Sequence, residues 1–99
     1  NYGATPLFMA SQEGHLEVVR ELLTGGASID QVMKDGATPL YMASQKGHME
    51  VVRELLAAGA DHTLAWIIDD QTKETPLRAA HRNGHRSIVQ LLQEYGALA

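Results

Sequence analysis

The chain has 99 residues, with eight Lys/Arg against twelve Asp/Glu and no Cys. That length supports one domain burying roughly 60–70% of its unfolded surface, and a net charge of −4 argues against a general polyanion binder. Without Cys there is neither a disulfide framework nor a thiolate nucleophile, which fits an intracellular protein, cytoplasmic or nuclear. No apolar run approaches the ~18 residues of a membrane span.

Thr5 has the side chain of a helix cap and Pro6 suits the first helical position, where no N–H is needed. Leu7 and Ala10 then share one face of a helix of two turns, which Gly14 ends in the left-handed conformation. A second helix is expected from Glu17 to Thr24, with Val18, Val19, Leu22 and Leu23 at helical spacing. Gly25-Gly26 stops it, and Asp35-Gly36 turns the chain back.

At Gly36 the text begins again. Gly3–Ala27 recurs as Gly36–Ala60 with five changes in 25 positions, a shift of 33 residues. A third, degraded copy opens at Thr75. Each copy starts Thr-Pro-Leu (Thr5, Thr38, Thr75) and carries Gly-His eight residues after its Pro (Gly14-His15, Gly47-His48, Gly84-His85). Helices shorter than ~12–15 residues are marginal in water alone, so each copy must bury its apolar side on a neighbour. The expected fold class is all-α: a solenoid of stacked helix-turn-helix units with protruding β-turn or hairpin loops. One domain spans residues 1–99, in repeats of about 1–34, 35–71 and 72–99.

The connection from copy two to copy three is longer. Ala27 to Thr38 is 11 residues but Ala60 to Thr75 is 15, an insertion of four. It contains Trp66-Ile67-Ile68, then Asp69-Asp70, and Lys73 replaces the turn Gly of the other copies. His62 occupies the place of Ile29. Three adjacent large apolar residues at a loop tip read in two ways: Trp66 folds back on its own repeats, or it anchors a partner, as Trp often does. Alternation along an extended strand would split Ile67 and Ile68 between the two sides.

Copy three is also recoded. Gln93 stands where Leu23 and Leu56 stand, Arg86 where Leu16 and Met49 stand, and His81 where Ser11 and Ser44 stand. Polar residues at stacking positions suit a terminal repeat with a wettable outer side. Charge follows: residues 1–71 hold four Lys/Arg against ten Asp/Glu (−6), and residues 72–99 hold four against two (+2). The first copy has no matching polar side, which leaves Leu7- and Val18-type surface open. Self-association through that end competes with a monomer.

The 33-residue period and Thr-Pro-Leu, Gly-His-Leu-Glu-Val-Val and Leu-Leu-x-x-Gly-Ala in this order resemble the ankyrin repeat. The resemblance implies an L-shaped unit, with first helices lining a concave face beside the turns and second helices on the convex back. It further implies binding of another protein by the concave face and turn tips, and a loop-stabilising role for His15, His48 and His85. The family's His after Thr-Pro-Leu, which ties adjacent repeats, is replaced here by Phe8, Tyr41 and Arg78. Phe8 and Tyr41 should lie one above the other, either filling the gap between repeats or forming an aromatic contact column.

Aligned on the family, the outward candidates are Tyr2, Ala4, Phe8, Gln12 and Glu13 in copy one. Copy two offers Val32, Met33, Lys34, Asp35, Ala37, Tyr41, Gln45 and Lys46. The third offers Trp66 to Ile68, then Arg78, Arg82 and Asn83. Met33 is an adaptable side chain which, with Val32, Tyr41 and Trp66, would make a mixed aromatic patch of the kind found at interface centres.

Other chemistry finds little footing. The three Gly-His imidazoles lie one per repeat, roughly 8–10 Å apart, too far for one zinc ion with ligands at ~2.1 Å. His81 and His85 are four apart, but Gly84 breaks the helix between them. No catalytic motif or phosphate-cradling Gly cluster occurs, and neither an enzyme, a cofactor nor a metal is expected. Arg78, His81 and Arg82 share one helix side and could meet acid groups, although a solvated cap surface is the better explanation, as such charge runs are commonly soluble faces; nucleic-acid binding lacks a recognised module. The sequence therefore points to a non-catalytic scaffold that binds another protein. The alternatives are a terminal structural slice of a longer solenoid with no partner of its own, or an engineered binder built from an idealised repeat.

Overall fold

The computed structural model describes residues 5–33 and 36–97, so the expected contacts Tyr2, Ala4, Lys34 and Asp35 lie outside the described residues. Three helix pairs follow in order: α1 (Pro6–Glu13) with α2 (Leu16–Thr24), α3 (Pro39–Lys46) with α4 (Met49–Ala57), and α5 (Pro76–Arg82) with α6 (Arg86–Glu94). Between α4 and α5 a short antiparallel hairpin joins β1 (Trp66–Ile67) to β2 (Lys73–Glu74).

The caps form as the side chains dictate. The hydroxyls of Thr5, Thr38 and Thr75 accept from the backbone N–H of Phe8, Tyr41 and Arg78 at 3.1, 3.0 and 3.3 Å, each satisfying a donor that the first helical turn leaves free. Gly14 and Gly47 end α1 and α3 in the left-handed region.

The first helices stack as one layer, α1 on α3 and α3 on α5, and the second helices as another, α2 on α4 and α4 on α6. Small buried residues (Ala10, Ser11, Ala43, Ser44, Ala79, Ala80) let the inner helices approach closely. Between the layers Leu7, Val19, Leu40, Val52, Leu55, Leu77 and Leu92 form one continuous core. The outer helices carry the pairs Arg20–Glu17 at 2.9 Å and Arg53–Glu50 at 3.6 Å, and Arg20 also reaches Glu54 of the next copy at 3.3 Å. These exposed pairs add little.

The Gly-His positions do more than brace their own loops. Nε2 of His48 donates to the Gln12 carbonyl at 3.0 Å, and Nε2 of His85 to the Gln45 carbonyl at 3.0 Å. Each imidazole therefore latches its copy to the preceding one, a between-repeat bond not foreseen at these positions. The His48 ring fills the space beside Gly14, and the His85 ring that beside Gly47, where a Cβ would come within 2.6 and 2.7 Å. Gly47→Ala is expected to cost about 1–3 kcal/mol, from left-handed strain plus displacement of His85. Gly59→Ala, at a comparable φ of +96° with nothing near its Cβ, carries the strain alone. Urea unfolding of both variants isolates the latch as the difference between them.

On the outer side of copy one, Val18 is 46% exposed, whereas Val51 at the same place in copy two is covered. Leu7 departs from the expectation: it is 1% exposed, because it points between the layers. In copy three Gln93, Arg86 and His81 are exposed.

Candidate protein-binding surface

The four-residue insertion builds the hairpin. Trp66 is paired with Glu74 and Ile67 with Lys73; at its tip Ile68 N–H donates to the Thr72 carbonyl at 2.9 Å. The Asp69 carboxylate accepts from the N–H of Gln71 and Thr72 at 2.8 and 2.9 Å. Those bonds, that of Gln71 foremost, hold its carboxyl below the usual range, so the tip is anionic. The preceding turn lies against β1: Gly36, at φ +90°, leaves room for the Ala65 carbonyl 3.0 Å from where a Cβ would stand, and for Ile67 at 3.6 Å.

Beneath the hairpin lies a second, aromatic core of Phe8, Ala37, Tyr41 and Ala79, with Met33, Met42 and Trp66 packed against it. Tyr41 is 1% and Phe8 7% exposed. Of the two expected readings, filling the gap between copies is the one that holds, because the turns fold over the inner helices and close the gap from solvent. As candidates for the contact surface, Phe8 and Tyr41 are both covered. The Trp66 ring sits 5.4 Å from that of Tyr41, tilted by 50°. Trp66 is half-buried, and its indole Nε1 is enclosed without an acceptor among the described residues.

The Tyr41 hydroxyl donates to Oε1 of Glu74 at 2.5 Å. Glu74, 7% exposed, is held on its other side by Arg82, whose Nε and Nη2 donate at 2.7 and 2.8 Å. A two-pronged guanidinium–carboxylate contact fixes geometry as well as charge. The Arg82 guanidinium, chiefly, and the Tyr41 hydrogen bond keep the Glu74 carboxyl below its ordinary range against the opposing effect of burial. Burial first, then Glu74, pushes the Tyr41 hydroxyl up. The set ties α3, the hairpin and α5 together. Glu74 was not singled out from the sequence; the available signal was a carboxylate at the position held by Ala4 and Ala37.

The remaining candidates divide by exposure. Val32, Lys46, Ile67, Ile68, Arg78 and Arg82 are exposed, and Gln12, Met33, Gln45 and Trp66 are half-buried. Ala37 is buried. The expected split of Ile67 and Ile68 does not occur: both are open, 47% and 45%, since β1 ends at Ile67 and the chain has left the ladder at Ile68. Among the described residues no group of three or more His, Asp or Glu could hold a metal ion, and no helix is long and apolar enough to cross a membrane.

Along with its three stacked helix pairs, the chain matches a family model for ankyrin repeats in three copies, over residues 7–98. The chain belongs to the ankyrin repeat family. It is also 39% identical over 92 residues to the ankyrin repeat and KH domain-containing protein mask-1 of Caenorhabditis elegans, across 93% of this chain and 4% of that relative. The chain thus spans a small fraction of the relative's length. Ankyrin repeats generally mediate protein–protein contact, and on this one Met9 of the first inner helix and Val32, Ile67 and Ile68 of the turns stand exposed, as do Val18 and Tyr95 on the outer layer.

Proposed function

We propose that this ankyrin domain is a non-catalytic scaffold that binds a partner protein across its turn tips and inner helices. The supporting observation is the pair of turns: Val32 on the first and Ile67 and Ile68 on the hairpin are each more than two-fifths exposed, above an aromatic core against which Met33 and Trp66 pack. The hairpin is further held by the Tyr41–Glu74–Arg82 bonds. A preorganised apolar patch loses little conformational entropy on binding. Gln12, Gln45 and Lys46 continue the contact surface along the inner helices, and Met33 and Trp66 supply its partly buried floor.

The experiment is site-specific photocrosslinking in cell extract, with the reactive group at position 67 or 45, or at Arg53 on the outer helix layer. Discrete adducts from 67 and 45, absent from 53, are expected. Adducts from 53 alone, or from none of the three, would remove this reading.

A second reading, a stretch of a longer stack, is favoured by Val18, exposed on copy one where Val51 and Ile88 are covered, and by Met9, exposed where Met42 is half-buried and Ala79 is covered. It predicts that adding a repeat on that side raises stability.

A further inference from the structure

Copies one and two each receive the next copy on one side. On that side Val19 and Val52 are wholly covered, Ser11 and Ser44 are buried, and Gly14 and Gly47 hold the next copy's imidazole. In copy three the same side, between α5 and α6, is open. Val89, the counterpart of Val19 and Val52, is only half-buried, and nothing lies within 4 Å of a Cβ built at Gly84. Two adjoining hollows share His81 and Val89 there; Leu77, Arg78 and Gln93 line one, Arg86 the other.

The shape of this side is therefore one that accepts helices, but its chemistry is changed. Positions filled by Phe8 or Tyr41 and by Leu16 or Met49 in the other copies hold Arg78 and Arg86. Both guanidinium groups are exposed and make no ion pair among the described residues. The nearby carboxylate, Glu74, is already engaged by Arg82 and Tyr41. What remains is the half-buried Val89, with the covered Leu77 beneath it, between Arg86 and Arg78, the latter acting on Glu74 only through its field and not through an ion pair.

We propose that this open side of the third copy binds an acidic amphipathic helix of a partner protein, seated between α5 and α6. Apolar side chains of the helix, one turn apart, would cover Val89 and the edge of Leu77, with carboxylates beside Arg78 and Arg86. Helix-in-groove recognition uses such spacing, and the charges select against basic or neutral helices. A second copy of this chain fits less well. Stacking in the internal register would bury the His81 imidazole where Ser11 and Ser44 leave room only for a hydroxyl. The inference concerns a surface separate from the hairpin patch and stands or falls apart from it.

The test is an amide NMR titration of the chain with a designed peptide of about five helical turns, Leu at i, i+3, i+4 and i+7 and Glu elsewhere. Saturable shifts confined to α5 and α6 are expected. Arg86→Glu or Arg78→Glu should weaken binding at least tenfold, Ile67→Asp should leave it unchanged, and a peptide with Lys for Glu should not bind. Equal binding of the Lys peptide, shifts centred on the hairpin, or no saturation by 1 mM, roughly the weakest affinity worth the name, would overturn the proposal. So would inorganic phosphate reproducing the same shifts, which would mean an anion hollow. Concentration-dependent shifts of these amides in the absence of peptide would also overturn it, in favour of self-stacking.

Discussion

Tyr41→Ala is expected to lower the unfolding free energy by about 3–5 kcal/mol, the range for deleting a buried aromatic ring. Against a total of roughly 5–15 kcal/mol for a domain, that change removes a large share of the stability. The ring is 1% exposed and touches the inner helices and both turns, so a cavity there cannot collapse without moving several elements. Tyr41→Phe keeps the ring and removes only the hydroxyl bonded to Glu74, for which about 0.5–1.5 kcal/mol is expected. Guanidinium unfolding of the two variants separates packing from hydrogen bonding; similar losses would mean that the bond, not the ring, dominates. Acid adds an independent arm. The folded Glu74 carboxyl is held below its ordinary value, so its stabilisation is present at neutral pH, above the unfolded-state pKa. It is lost as pH falls from about 4 through the folded value. Acid unfolding should therefore weaken wild type over that window, and Glu74→Gln should show a smaller loss there from a lower starting stability.

What the sequence displayed was whatever depends on near neighbours. Thr5, Thr38 and Thr75 cap helices three residues ahead, and Gly14 and Gly47 end them; each feature acts within one turn, so spacing along the chain is enough. The stacking followed from the 33-residue period because two-turn helices must bury one side somewhere. The contacts between copies were not legible. His48 to Gln12 and His85 to Gln45 span 36 and 40 residues, and the sequence alone does not say whether an imidazole braces its own loop or crosses to the next copy. The same limit hid the Tyr41–Glu74 bond, which spans 33 residues across the insertion. It also left Tyr41 and Phe8 open between gap filler and contact column, because alignment gives the direction of a side chain but not the loop that folds over it. The hairpin is intermediate: its apolar residues were conspicuous, but that Trp66 lies down on Tyr41 while Ile67 and Ile68 both stay open depends on where a two-residue strand ends.

That division sets up the most decisive pair of variants at the hairpin. Ile67→Asp puts a charge at a site 47% open to solvent, paired with Lys73 through its backbone and with its side chain beside Gly36. Its stability should stay within about 0.5 kcal/mol of wild type, as for most surface changes. If the turn tips are the contact surface, its affinity for a crosslinked partner should fall by more than about 1–2 kcal/mol, because a carboxylate buried at an apolar interface is both unpaired and desolvated. Trp66→Ala should behave differently, losing stability and affinity together. The ring packs on Tyr41, so its removal both opens the aromatic core and loosens the hairpin that presents Ile67 and Ile68. Thermal unfolding read alongside calorimetric affinity distinguishes the cases. Trp66→Ala with reduced stability and unchanged affinity would make the tryptophan core alone, and Ile67→Asp with unchanged affinity would move the contact surface off the hairpin. A loss of affinity in Ile67→Asp at full stability is the result expected of a partner seated on this tip, because an unchanged unfolding free energy shows that the contact of Ile67 beside Gly36 is not what was lost.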